Sequence, residues 1–176
     1  MSKTLILGGI RSGKSALAES QARAAQGPVI YVATATAGDD EMTQRIARHQ
    51  ARRPENWGLV EEPRDLAAVL RRHHGEASCL LIDCMSLWLS NLLMDESSLE
   101  AQCDAFIQAL EDYPGSVVIV SNEVGLGIIG MDALTRRFCD ELGWLNQALA
   151  RRCDNVAMSV AGLPMVLKGQ LPANTL

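Results

Sequence analysis

Residues 4–15 read TLILGGIRSGKS, and the order of their chemistry decides the fold. An apolar run of strand length (4–9) meets a pair of glycines, and a helix-forming segment, GKSALAESQARAA (13–25), follows. Gly8, Gly13, Lys14 and Ser15 fill the phosphate-loop pattern G-x-x-x-x-G-K-[ST]. The glycines let the backbone turn tightly, so that N–H groups from Gly8, Gly9, Ile10, Arg11, Ser12 and Gly13 onward face a phosphate chain. The helix then adds its positive amino end. In such a loop Lys14 reaches the β- and γ-phosphates and the Ser15 hydroxyl meets Mg²⁺. Arg11 is either a further phosphate contact or a solvent-facing residue.

The same alternation continues along the chain. VIYVATA (29–35), CLLID (79–83), SVVIVSN (116–122) and NVAMSVAG (155–162) read as buried strands, GLVEE (58–62) as a short one, and LPMVLKG (163–169) as an edge strand. Helical patterns cover 39–52, 64–74 with Gly75 as a stop, 86–94, 98–112 and 131–152. Continuous β-branched runs mark strands buried on both faces, and helices between them mark right-handed crossovers. The expectation is a single α/β domain over 1–176: a mainly parallel sheet with flanking helices, of the P-loop NTPase type.

The bulk numbers narrow the function classes. A chain of 176 residues that is 48% hydrophobic can bury a core without metals or disulfides. A net charge of −5 with no long run of one sign argues against a nucleic-acid or anionic-membrane partner. The cysteines (79, 84, 103, 139, 153) lack CxxC or histidine ligand spacing, so free thiols in a reducing cytoplasm are expected. No signal-peptide pattern opens the chain, and its most apolar stretch, 84–94, is too short to cross a bilayer. A soluble cytoplasmic protein is expected.

A phosphate loop needs a carboxylate near its metal, at the end of a neighbouring strand. Asp83, closing CLLID, is the candidate. Its alternative duty is to cap the helix that follows.

His49 is one of three histidines, and it sits among Arg45, Arg48, Arg52 and Arg53. On a helix, Met42, Ile46 and His49 share one face, so a boundary histidine beside a solvated basic face is one reading. Chemistry offers another. An imidazole is nucleophilic only when neutral, and nearby guanidiniums disfavour the imidazolium. Those guanidiniums would also stabilise a phosphate under attack.

Taken together, GGIRSGKS, YVATA, the spaced pattern of DDEM, RI, His49, RP and Trp57, then DCMSLWLSNLL, SNEVGLGI, the NQ at 146–147 and GLP with LK near the end resemble one family. It is the bifunctional adenosylcobinamide kinase / adenosylcobinamide-phosphate guanylyltransferase family of cobalamin biosynthesis. The resemblance runs nearly end to end. It implies a RecA-like P-loop core, a homotrimer, and two reactions. ATP or GTP phosphorylates the hydroxyl on the aminopropanol arm of adenosylcobinamide. GTP then forms a GMP–histidine intermediate, and GMP passes to the corrinoid phosphate.

By the same carry-over, His49 is the guanylylated residue. Ala33, Thr34 and Ala35 lie beside the nucleotide, Arg52 and Arg53 contact it, Glu61 is an acid of the GTP site, and Asp83 ends the third long strand. One triphosphate site serves both reactions either if the helix carrying His49 moves, with Gly38 before it as a hinge, or if the nucleotide binds in two registers. Two positions depart from the family pattern: Trp144 stands where arginine is common, and Gly130 where proline is.

Other residues are read from the chain alone. Asn122 and Glu123 follow a strand, where open α/β sheets place ligand loops; they either orient an acceptor or merely cap a Gly-rich turn. His73 and His74 read as helix-end residues, and Trp57, Trp88 and Trp144 as packing residues. Two competitors remain: a plain small-molecule kinase with a structural His49, and a non-enzymatic nucleotide switch. Neither requires a histidine within RIARHQARRP.

Overall fold

In a computed structural model of the chain, the apolar runs become neighbours in one seven-stranded sheet. The structure describes residues 1–36, 54–76, 78–94, 99–128 and 130–172. Along the chain come β1 (Lys3–Gly8), α1 (Lys14–Ala24), β2 (Val29–Ala33), β3 (Gly58–Glu61), α2 (Leu66–Arg72) and β4 (Cys79–Asp83). Then follow α3 (Met85–Leu93), α4 (Leu99–Asp112), β5 (Ser116–Asn122), α5 (Ala133–Arg152), β6 (Asn155–Val160) and β7 (Leu163–Lys168). The strand order is β3-β2-β4-β5-β1-β6-β7, parallel throughout except for β7, which pairs antiparallel with β6.

Most elements lie where the sequence places them. Strand β2 stops at Ala33 rather than Ala35, because its partners end in the same row, at Glu61 and Asp83. Helix α2 starts at Leu66 rather than 64: Asp65 is its N-cap and accepts the Ala68 N–H at 2.9 Å. His73 is the residue that closes it. The expected polar helix 39–52, with Gly38 and His49, lies outside the described residues.

Strand pleat sorts the core into two faces. Leu5, Leu80, Ile82, Val117 and Ile119 point to the face that carries α2, α3, α4 and α5. Ile6, Tyr31, Leu81, Val118 and Val120 point to the face that carries α1. The first face is deeper. Trp88 is fully buried there, 5.3 Å from the Phe106 ring centre, and its indole N–H donates to the Arg64 carbonyl at 2.6 Å. Burying each large apolar side chain contributes roughly 1.5–3 kcal/mol, so this layer holds the helices against the sheet. The other face has the phosphate loop at its upper end.

Candidate active site

The loop between β1 and α1 is built from backbone. A Cβ on Gly8 would stand 2.4 Å from Ser12 Oγ and 2.7 Å from the Ser159 carbonyl oxygen, so only glycine fits. Gly13 is the N-cap of α1 at φ 93°, a left-handed conformation that favours glycine, and it offers no side chain to the helix. The first N–H groups of α1 are thereby left to a ligand. The Ser12 carbonyl is held from two sides, by Ser159 Oγ at 2.6 Å and by the Gly162 N–H at 2.9 Å. Lys14 folds back over the loop, and its Nζ donates to the Gly9 carbonyl at 3.2 Å. Ile10 and Arg11 form the exposed tip, with Arg11 at φ 55°.

Parity and register gather several other candidates on the same side. Ala33, Glu61 and Asp83 lie in one row across β3, β2 and β4, and all three alternate onto the α1 face. Asp83 does not cap α3, since Cys84 occupies that position and makes no side-chain cap bond. Its Oδ2 instead accepts the Tyr31 hydroxyl at 3.1 Å. Thr34 is buried and ties the ends of β2 and β4: its Oγ1 accepts the Cys84 N–H and donates to the Cys84 carbonyl, both at 2.8 Å. That hydroxyl is committed to the scaffold.

Burial pushes the Cys84 thiol up, and the neighbouring Asp83 adds to the effect. It stays protonated and is not a competing nucleophile. Of the sequence candidates, the loop residues, Ala33, Glu61 and Asp83 come to one end of the sheet. His49, Arg52 and Arg53 lie outside the described residues.

Several contributors were not singled out from sequence: Ser159 and Gly162 around the loop, Tyr31 against Asp83, and Asn91, whose Nδ2 donates to the carbonyls of Thr34 at 2.8 Å and Pro63 at 3.1 Å. Asn146 is another. Its Oδ1 accepts Ser121 Oγ at 2.6 Å and its Nδ2 donates to the Asn122 carbonyl at 3.0 Å, pinning the end of β5 to α5. Tyr31 in YVATA, Asn91 in DCMSLWLSNLL, Gly162 in GLP and Asn146 in the NQ pair lie inside stretches that carry the resemblance, but no role was assigned to them there. Trp144, expected to pack, is 62% exposed.

Residues 4–167 match the model of the CobU family, cobinamide kinase / cobinamide phosphate guanyltransferase. The chain belongs to this family. It is 52% identical over 170 residues to the bifunctional adenosylcobalamin biosynthesis protein CobP of Pseudomonas aeruginosa, covering 96% of this chain and 98% of that one. Against the bifunctional adenosylcobalamin biosynthesis protein CobU of Escherichia coli, identity is 34% over 179 residues, covering 93% and 98%. Among solved structures, an ATPase of a bacterial type III secretion system aligns over 94% of this chain at a TM-score of 0.56 and 11% identity. This chain spans 56% of that ATPase, and the likeness is one of fold. Among the described residues, no helix is long and apolar enough to cross a membrane.

Proposed function

We propose that this CobU-family member carries out both reactions: phosphorylation of adenosylcobinamide by ATP or GTP, then transfer of GMP from GTP to the new phosphate, giving adenosylcobinamide-GDP. The observation that carries the reading is the glycine-built loop from Gly8 to Ser15, opening onto an α1 terminus that has no side-chain cap. Its setting in a chain matched to the family over 4–167 supplies the substrate.

In the first reaction the acceptor hydroxyl oxygen attacks the γ-phosphorus, the bond to the β,γ-bridging oxygen breaks, and a nucleoside diphosphate leaves. Lys14 offsets charge on the transferring group. In the second, a ring nitrogen of His49 attacks the α-phosphorus of GTP and pyrophosphate leaves. A phosphate oxygen of the acceptor then attacks the same phosphorus and frees the histidine. Arg52 and Arg53 keep the imidazole neutral and stabilise the phosphate under attack. Glu61, in line with Ala33 and Asp83, faces the nucleotide.

Ser15 and Asp83 would hold Mg²⁺. An alcohol and a single carboxylate suit an ion that takes its other ligands from water and phosphates, and Asp83 is on the α1 face with its side chain oriented by Tyr31. When bound, the ion neutralises charge on the phosphates. A cytoplasmic homotrimer completes the proposal. The half-exposed apolar strand β7, with Leu163, Met165, Val166 and Leu167, supports a partner subunit.

The deciding test incubates the protein with Mg²⁺ and α-³²P-GTP without corrinoid, beside His49→Ala. Acid-labile, base-stable label on the native protein alone is expected. Absence of label with intact nucleotide binding would leave a plain kinase.

A further inference from the structure

The two proposed reactions differ in one proton. The kinase acceptor is a hydroxyl, which must lose its hydrogen as the new P–O bond forms. The second acceptor is an ionised phosphate with no proton to lose. A base is therefore needed in the first reaction only, and it must stand close to the γ-phosphate end of the loop.

Strand order decides among the carboxylates at this end of the sheet. Neighbouring strands lie about 4.8 Å apart, so Glu61 on β3, four strands from β1, is displaced by about 19 Å, and Asp83 on β4 by about 10 Å. Glu62 follows Glu61 directly at the end of the same distant strand, β3. Glu123 follows β5, the immediate neighbour of β1. Its N–H donates to the carbonyl of Gly8, the first residue of the phosphate loop, at 3.1 Å. Its Oε1 accepts the Gly125 N–H at 2.6 Å, which holds the half-buried carboxylate in place. Asn122 precedes it on the α1 face, in register with Gly8, and among the described residues its buried Oδ1 has no hydrogen-bond partner. Beyond it, on the segment that follows β5, Leu126, Ile128 and Met131 are strongly exposed.

We propose that Glu123 is the base of the kinase half-reaction, with Asn122 and the apolar residues after it receiving the acceptor. This rests on the bifunctional reading above and assigns it a residue. The hydroxyl hydrogen passes to the Glu123 carboxylate as its oxygen bonds to the γ-phosphorus, and from there to solvent as the diphosphate departs. Asn122 Oδ1 takes an N–H of the amino-alcohol arm, and Leu126 and Ile128 carry the apolar edge of the acceptor body.

The experiment measures both half-reactions separately for the native protein, Glu123→Gln and Glu123→Ala. Cobinamide with ATP reads the first, and pre-formed cobinamide phosphate with GTP reads the second. Glutamine keeps the acceptor for Gly125, so kinase kcat should fall about 100-fold while nucleotide KM and GMP transfer hold. An equal fall in both half-reactions, or a loss in the alanine variant alone, would mark Glu123 as structural and overturn the proposal. So would an unchanged kinase in both variants. A native protein that binds nucleotide yet phosphorylates no cobinamide would overturn the bifunctional reading itself, a result visible without any variant.

Discussion

Two loops leave the same end of the sheet from adjacent strands, and they are built by opposite means. The one after β1 is held from every side: Ser159 and Gly162 bind its carbonyl, Lys14 crosses it, and Gly8 leaves no room for a methyl group. The one after β5 is anchored at its root by Asn146 and the Glu123–Gly8 bond, turns on the Glu123–Gly125 bond, and then exposes Leu126, Ile128 and Met131. A phosphate chain is a fixed shape that a rigid cradle can match before it arrives. A large acceptor is met by an apolar surface that it must itself cover.

If that division holds, damage to the first loop should strike both reactions. Lys14→Ala is expected to lower kinase and guanylyl transfer alike by about 100-fold or more, since removing one preorganised donor to a transferring group costs on that order. Separate assays of the two steps would check it. A loss confined to the kinase would mean that GTP in the second reaction binds elsewhere, and the single-cradle picture would fail.

Glycine substitutions sharpen the same contrast. Gly8→Ala forces a methyl carbon against Ser12 Oγ and a backbone oxygen, so the loop must shift; a stability loss of about 1–3 kcal/mol is expected, with weaker nucleotide binding. Gly127→Ala on the other loop meets nothing within 4 Å. Denaturant unfolding and nucleotide titration of the pair should show one damaged protein and one near-native. Equal damage would show the β5 loop to be packed as tightly as the first.

Asn146→Ala tests the root that the second loop does have. It strands the buried Ser121 hydroxyl and frees the Asn122 carbonyl, and an unsatisfied buried polar group costs about 1–3 kcal/mol. The kinase should suffer more than GMP transfer, because β5 carries Asn122 and Glu123. Parallel loss of both activities would instead place Asn146 in general support of the sheet.

These loops also explain what was legible in the chain. Strands buried on both faces and the phosphate loop write themselves locally, as continuous apolar runs and fixed glycine spacing. Asp83 was legible too, as the polar end of such a run. The support for the site was not. Ser159 reaches Ser12 because β6 pairs with β1, and Tyr31 reaches Asp83 because β2 pairs with β4. Each depends on strand neighbours far apart in sequence, and a lone serine or tyrosine carries no sign of which neighbour it will have. Thr34 shows the converse: it was picked out beside the nucleotide, yet its hydroxyl is taken up by the backbone of Cys84.

The smallest effect concerns the helices into which the two loops run. The first N–H groups of α1 meet no capping side chain, whereas α5 carries its own anion: Asp132 accepts the Thr135 hydroxyl at 2.6 Å and its N–H at 2.8 Å. Those two hydrogen bonds, the hydroxyl first, hold the Asp132 carboxyl below its ordinary value. A lowered native pKa means that the stabilisation is complete above the unfolded value near 3.8 and disappears as pH falls through the native one. The Tm difference between native protein and Asp132→Ala should therefore stay level from pH 8 to about 4 and shrink below it. A constant difference at acid pH would mean that the neutral side chain caps α5 equally well. The same variant should leave nucleotide affinity unchanged, because the phosphate is bound where a helix has been left without a cap of its own.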